Sequence, residues 1–250
     1  KGRAENTKPY FDLMYETVQS ILAKSGHINH KYLKESESDK KAVIVVTANR
    51  GLAGGYNSNI TRMIIDEGFT KENTVVYAVG KKGRELLERK GYEIKADYSE
   101  AINEPIYKDA KEICDDVLSA FADGEVGEIY LAYTVFKNTV VHEPQLIRLL
   151  PVEADDAAHE TDGSEALMTY EPSEEEALDM IIPKYVCSLV YGALIESVAS
   201  ENGARMQAMD SATSNAEEMI STLSLKYNRA RQASITQELT EIIAGANAIE

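Results

Sequence analysis

The strongest constraint on the fold is a long stretch without helix-breaking residues near the C-terminus. Between Gly203 and Gly245 the sequence has neither glycine nor proline. This stretch of roughly 40 residues corresponds to about 60 Å of α-helix, whereas ordinary globular helices have about 10–14 residues. Because helical patterning extends back to Ser173, we predict one long helix over 173–250. Such a helix must bury its apolar stripe against another helix or inside a partner.

Small and apolar residues recur along this helix at coiled-coil spacing. They are Met209, Ala216, Leu223 and Ala230, and on the companion seam Ala212, Met219 and Ala233, with Lys226 as an interruption. Each alanine gives up roughly 2 kcal/mol or more of burial relative to leucine, so we expect a slender helix pair of modest stability. The other helix of suitable pattern is predicted over Pro9–Ala23, within an N-terminal segment 1–26.

Residues 40–151 alternate between strand and helix patterns. We predict strands over 41–47, 74–79, 128–136 and 140–150, and helices over 58–69, 81–90 and 106–121. This order indicates a Rossmann-like α/β domain whose sheet is covered on both faces, with a hairpin and an antiparallel edge at its end. The acidic and polar residues 152–172 are predicted to form a linker or surface loop.

Charge and cysteine usage narrow the class of protein. The net charge is −16, which disfavours nucleic acid and anionic membranes as bulk partners. Cys114 and Cys187 are distant in sequence and lack metal-ligand spacing, so we expect reduced, interior thiols. No apolar run is predicted to reach the roughly 20 residues that span a bilayer.

The loop NRGLAGGYN over 49–57 follows the first strand, where phosphate-binding loops often lie. It lacks the lysine and the serine or threonine that follow the last glycine of the GxxxxGK[ST] phosphate-binding motif. It also lacks the GxGxxG spacing of the dinucleotide-binding motif. We interpret its glycines as allowing a tight strand-to-helix turn and close packing of the helix on the sheet, with Asn57 or Ser58 capping that helix. Nucleotide binding assisted by Arg50 is the alternative.

Other candidate chemistry is sparse. His27 and His30 are three residues apart but lie in a predicted turn, and His142 and Glu143 face opposite sides of a predicted strand. We therefore predict no metal site, no cofactor and no catalytic residue.

The C-terminal end has an apolar helix face and many polar residues around it. The apolar face comprises Ile235, Leu239, Ile242 and Ala246, and the polar groups belong to Arg229, Arg231, Gln232, Thr236, Glu238 and Glu241. Spacing alone leaves two interpretations open, a solvated face with ordinary i,i+4 pairs or a helix tip inserted into a partner.

Three segments, spread between residues 49 and 248, resemble the gamma subunit family of F-type ATP synthases. ITQELTEIIAGANA over 235–248 resembles the family's C-terminal signature, and SENGARMQAMDSAT over 200–213 is similar to the segment that accompanies it. NRGLAGGYN resembles the family's DRGLCGGYN loop, with Asn49 and Ala53 in place of aspartate and cysteine. YEP over 170–172 is similar to a further family segment.

The resemblance implies a non-catalytic central rotor stalk of a bacterial ATP synthase. The long C-terminal helix would pair with the N-terminal helix in an antiparallel coiled coil, enter the hexamer of alpha and beta subunits, and couple ion-driven rotation to ATP synthesis or hydrolysis. It further implies that the N-terminal helix begins upstream of Lys1, and it leaves the coupling ion, H⁺ or Na⁺, open.

The family also implies partners and contact residues. Expected partners are the alpha, beta and epsilon subunits and the membrane c-ring, at the cytoplasmic face of the plasma membrane. Contacts with the beta subunits are implied for Arg205, Arg231, Gln232, Thr236, Glu238 and Glu241, and c-ring-facing positions for Tyr170 and Glu171.

Two other functions compete with this interpretation. One is a small α/β enzyme that binds a nucleotide or metabolite and dimerises through its helix, which the glycine loop favours and the missing lysine disfavours. The other is a free-standing coiled-coil scaffold, against which the alanine-rich seam argues.

Overall fold

The computed structural model describes residues 30–33, 38–139, 141–152 and 174–247. The chain forms two compact units, Lys1–Arg205 and Met206–Glu250. The N-terminal segment 1–26 lies outside the described residues, and so does the acidic segment 152–172 apart from Val152.

A five-stranded mixed sheet forms the centre of the first unit, in the order β3-β2-β1-β4-β5. The strands are β1 (Lys41–Val46), β2 (Thr74–Val79), β3 (Glu93–Asp97), β4 (Glu128–Phe136) and β5 (His142–Leu150). The first four run parallel, and β5 pairs antiparallel with β4. The predicted hairpin with an antiparallel edge is therefore confirmed.

Helices cover both faces of this sheet. They are α1 (Tyr56–Asp66), α2 (Lys81–Arg89), α3 (Tyr107–Ala122) and α4 (Glu174–Asn247). Successive strand residues point to opposite faces, so Val43 and Val45 pack with α1 and α2, whereas Ala42 and Ile44 pack with α3 and the beginning of α4. Because β1 and β2 are buried on both faces, they read as continuous apolar runs. The predicted α/β class is confirmed.

Two local predictions are corrected. Strand β3 was not predicted, because it is a short edge strand in which Glu93, Lys95 and Asp97 alternate with only two apolar residues. Helix α1 begins at Tyr56 and has no side-chain cap. Asn57 does not cap it, because the Asn57 Oδ1 accepts a hydrogen bond from the Ala48 amide at 2.9 Å.

Helix α4 is the predicted long helix, and its first part lies in the core of the first unit. Acidic residues occupy its first turn, where negative charge is favoured by the helix dipole. The helix continues through Pro183, and the flanking residues Ile182 and Val186 are fully buried. Core packing on both sides of the proline stabilises the helix where its backbone lacks a donor.

One part of α4 is apolar and long enough to cross a membrane by composition, with a mean hydropathy of 1.5. The expectation that no run reaches this length was therefore wrong. In the structure 61% of this stretch is buried. A helix that packs in a protein core can have the same length and apolar composition as a membrane-spanning helix.

Residues His30 and Lys31 contact the beginning of α4 through one carboxylate. The Asp179 Oδ1 lies 2.8 Å from the Lys31 Nζ and 3.2 Å from the His30 Nε2. The hydrogen bond from Lys31 lowers the pKa of Asp179, and it raises the pKa of Lys31. This charged contact joins the described residues before β1 to α4.

Candidate functional site

The carboxyl end of β1 is the point where a doubly wound sheet usually binds its ligand, because the strand order reverses between β1 and β4. In this chain α4 occupies that crevice. Ala48, Ala53 and Tyr56 form a small buried cluster against Ala204 of α4. The Tyr56 hydroxyl donates a hydrogen bond to the Ser197 carbonyl at 3.1 Å. Burial raises the pKa of Tyr56, so the hydroxyl keeps its proton for this bond.

The glycine loop forms the wall of this crevice. The side chain of Asn49 donates to the Ser99 carbonyl at 2.7 Å and accepts from the Lys81 amide at 3.0 Å. Leu52 has a φ of 62°, which is uncommon for a residue with a side chain, and it is 76% exposed. The loop is thus held by side-chain hydrogen bonds and packs against a helix of its own chain.

Strand β4 and strand β5 hold α4 from the other side. The Ser200 Oγ donates to the Thr134 carbonyl at 3.1 Å. The His142 ring lies directly over Gly203, since a Cβ on this glycine would be 2.6 Å from the ring Cε1. The close approach explains why the helix has a glycine at this position.

Arg205 is the last residue of the first unit, and it contacts its own chain. Its Nη2 lies 2.6 Å from the Glu201 Oε1, and the same nitrogen is 3.5 Å from the Gly51 carbonyl oxygen. Both charged side chains are mostly covered, with 26% and 14% exposed. This pair links α4 to the glycine loop.

The second unit has a different character, because its apolar side chains are exposed. The exposed residues are Met206, Met209, Met219, Ile220, Leu223, Leu225, Tyr227, Ile235, Leu239, Ile242 and Ile243. Ile242, for example, is 67% exposed. Scattered apolar residues are normal at a surface, but a contiguous apolar stripe indicates an interaction site.

Five of the predicted contact residues lie in this second unit, and all are exposed: Arg231, Gln232, Thr236, Glu238 and Glu241. Glu241 accepts a hydrogen bond from Gln237 Nε2 at 2.9 Å. Within the described residues, no ion pair holds Arg231 or Glu238. The i,i+4 pairing of an ordinary solvated face is therefore sparse here, and these charged groups are available to a partner.

The structure separates the predicted site residues into two groups. Arg205 belongs to the first unit and is engaged with the glycine loop, whereas the five tip residues belong to the second unit. Tyr170 and Glu171 lie outside the described residues. Sequence reasoning gave no role to Tyr56, Ser197 or His142, although Tyr56 is part of the quoted loop motif.

Metal and thiol chemistry can be assessed over the same part of the chain. The described residues include no cluster of three or more histidine, cysteine, aspartate or glutamate side chains that could hold a metal ion. Cys114 and Cys187 are both free and buried, as predicted.

Comparison with known proteins gives consistent matches. The model of the ATP synthase family matches residues 1–249. The ATP synthase gamma chain of Lachnoclostridium phytofermentans is 66% identical over 255 aligned residues, which cover 100% of this chain and 88% of the relative. The sodium ion-specific ATP synthase gamma chain of Acetobacterium woodii is 42% identical, with 98% and 87% covered.

Solved structures share the fold. A chain in the Euglena gracilis mitochondrial ATP synthase, in a structure of the F1 and c-ring parts, superposes with a TM-score of 0.63 at 18% identity and covers 99% of this chain and 92% of its own length. A chain from the central stalk and c-ring of the Tetrahymena thermophila enzyme gives a TM-score of 0.58 at 22% identity, with 85% and 95% covered.

Proposed function

Because this chain belongs to the ATP synthase gamma-chain family, we propose that it is a non-catalytic rotor shaft that couples ion flow to ATP synthesis or hydrolysis. Its α/β unit would receive torque at a membrane ring, and its long helix would turn inside a hexamer of alpha and beta subunits. The proposed location is the cytoplasmic face of the bacterial plasma membrane, where the chain is attached through the complex. The coupling ion is open, since one relative is named as sodium ion-specific.

The observation that carries this proposal is the contrast along α4. Its first part is buried in the α/β core, with Leu178, Val190 and Leu194 0% exposed. From Met206 onward nearly all of its apolar residues are exposed. A helix that is anchored at one end and apolar but uncovered along the rest is suited to enter a sleeve formed by other subunits.

We further propose that the heptad seam receives the N-terminal helix predicted over Pro9–Ala23. Met209, Ala216 and Leu223 lie at seam positions and are exposed in the structure, so they are available to a second helix. Small residues at this seam allow two helix axes to approach closely, and a narrow pair has room to rotate inside a ring of subunits.

The partner contacts are assigned by the same reasoning. Arg231, Gln232, Thr236, Glu238 and Glu241 supply exposed polar groups for the beta subunits, and charged groups at a defined place on an apolar surface give specificity. Arg205 would act in the same coupling network through the glycine loop. Tyr170 and Glu171 are proposed to face the c-ring, and the epsilon subunit is proposed as a further partner.

A small-molecule enzyme is not favoured as an alternative. Its ligand would occupy the crevice at the carboxyl end of β1, and in this chain Tyr56 and Ala204 pack there.

The tip assignment is tested by replacing Arg231 and Gln232 with alanine in the assembled complex. We expect ATP synthesis to fall several-fold, because the substitutions remove the charged and amide groups that would contact the beta subunits. Synthesis is measured in membrane vesicles with equal amounts of assembled complex. The fold should be unchanged, since both side chains are exposed.

Glu217→Ala with Glu218→Ala is the matched control, because these residues are also exposed on the same helix but have no proposed contact. We expect the control to keep its synthesis rate. Normal synthesis by a correctly assembled Arg231→Ala, Gln232→Ala complex would remove these two residues from the coupling interface.

A further inference from the structure

An open cleft lies on the α3 side of the sheet, between the edge strand β3 and the loop that follows α3. Its larger lobe has a volume of about 400 Å³, which is within the range of small-ligand sites. Val75 and Tyr77 of β2 and Val126 of the loop line this lobe, and all three are buried in the core of the first unit. None of the described residues that line the cleft belongs to α4.

The Tyr77 hydroxyl is an unused hydrogen-bond donor in this cleft. Tyr77 is 2% exposed, and it lines both the larger lobe and a neighbouring lobe of about 240 Å³. Among the described residues, none forms a hydrogen bond with its hydroxyl. Burial raises the pKa of Tyr77, so the hydroxyl keeps its proton at neutral pH. Because buried hydroxyl groups are usually hydrogen-bonded, this donor indicates a place for an acceptor group of a ligand.

A β-bulge in β3 directs a lysine to the same cleft. Ile94 and Ala96 lie opposite consecutive residues of β2, so Lys95 is the extra residue of the bulge. A bulge bends its strand and changes the direction of a side chain. Lys95 lines both lobes, and its Nζ lies 3.1 Å from the Glu125 Oε2. This ion pair is about half exposed, so its stabilisation is small and a ligand can replace either partner.

The charged groups around the larger lobe balance. Lys40 and Lys95 supply two positive charges, and Glu93 and Glu125 supply two negative charges. Within the described part of the chain, neither Lys40 nor Glu93 forms an ion pair. A simple anion or cation would meet like charges here as well as opposite ones, and like charges disfavour binding. A zwitterion meets an opposite charge at each of its charged groups.

We propose that this cleft binds a free α-amino acid with an apolar side chain, such as phenylalanine. The apolar side chain packs on Val75 and Val126. The carboxylate accepts a hydrogen bond from the Tyr77 hydroxyl and pairs with Lys95, and the ammonium group pairs with Glu93. This inference rests on the cleft alone and is independent of the rotor assignment.

The test is an NMR titration of the isotope-labelled full chain with L-phenylalanine. We expect saturable shifts of the amide signals of residues 75–77, 93–96 and 125–126. Because the cleft is open, we expect a dissociation constant on the order of 1 mM.

Three matched compounds test the class of ligand. 3-Phenylpropionate lacks the ammonium group, phenethylamine lacks the carboxylate, and glycine lacks the apolar side chain. Each should bind about tenfold more weakly than phenylalanine or worse, because each leaves one part of the cleft without its partner.

Two variants test the assigned residues. Lys95→Met and Tyr77→Phe keep the apolar part of each side chain and remove its polar group. We expect Lys95→Met to weaken phenylalanine binding about tenfold or more, and Tyr77→Phe to weaken it several-fold. Lys108→Met is the matched control and should bind as the parent does, since Lys108 is exposed at the beginning of α3 and lines neither lobe.

The proposal is overturned if phenylalanine gives no saturable shifts, or if the shifts lie away from the cleft. It is equally overturned if 3-phenylpropionate or phenethylamine binds as tightly as phenylalanine, or if Lys95→Met leaves the affinity unchanged.

Discussion

Single residues determine how closely α4 approaches the sheet. Gly203 lies under the His142 ring, and a Cβ there would be 2.6 Å from the ring Cε1 and 3.1 Å from its Nε2. Real Cβ atoms do not approach other atoms so closely, so either the ring or the helix would have to shift. Gly245 is on the same helix and has no described atom within 4 Å of the Cβ position.

We predict that Gly203→Ala lowers the free energy of unfolding by about 1–3 kcal/mol, because it overpacks this contact. Gly245→Ala should be neutral or stabilising by about 0.5–1 kcal/mol, because alanine is the better helix former. Urea denaturation followed by circular dichroism measures both values. Adding His142→Ala to Gly203→Ala should recover most of the loss, and a Gly203→Ala protein as stable as the parent would contradict the close approach.

The charged contact at the beginning of α4 gives a pH-dependent prediction. The pKa of Asp179 is lowered from 3.8 in the folded protein, chiefly by its hydrogen bond with Lys31. A carboxylate with a depressed folded pKa stabilises the fold above the unfolded pKa, and this contribution is lost as pH falls through the folded value. Because the pair is about half exposed, its effect is modest.

We therefore predict that Asp179→Asn is slightly less stable than the parent at pH 7, and that this difference shrinks as pH falls from 7 through the lowered pKa of folded Asp179. Thermal denaturation across this pH range measures the difference. Asp210→Asn is the control, since Asp210 is exposed on the same helix and has no ion pair among the described residues. A stability difference for Asp179→Asn that persists undiminished at low pH would show that the carboxylate charge is not the cause.

At the scale of secondary-structure elements, the sequence predicts those that carry an unbroken pattern of their own. Buried β1 and β2 read as apolar runs, and the exposed part of α4 is recognised because it has no breaker between Gly203 and Gly245. Strand β3 is missed because pairing with β2 defines it, and its own residues alternate charge with only Ile94 and Ala96.

In the candidate site, too, some residues could be predicted from local sequence and others could not. The tip residues were identified through a family motif, since their spacing fits a solvated face equally well. The hydrogen bond from Tyr56 to Ser197 joins residues far apart in sequence, and no local pattern encodes such a contact.

The exposure of α4 beyond Arg205 predicts its dynamics. In the free chain, we expect amide hydrogens over 206–247 to exchange orders of magnitude faster than those of β1, because few buried contacts hold that part of the helix. Hydrogen exchange followed by mass spectrometry measures both segments. Assembly with alpha and beta subunits should slow exchange over 206–247, and protection equal to that of β1 in the free chain would contradict the exposure seen here.

At the scale of the whole molecule, the two units differ in how their apolar residues are covered. The first unit buries its apolar residues within its own sheet and helices, whereas the second exposes a long apolar stripe. A net charge of −16 favours solubility. The apolar stripe of the second unit nevertheless remains exposed. Such a stripe is suited to be covered by the partner subunits proposed above.

The most direct test is reconstitution with alpha and beta subunits. The chain is mixed with both subunits, and ATP hydrolysis is assayed with and without it. If the chain is the rotor shaft, it enters a stable complex and rapid hydrolysis depends on its presence. A chain that never enters the complex, or hydrolysis that is the same without it, would contradict the proposal that this protein is the rotor shaft.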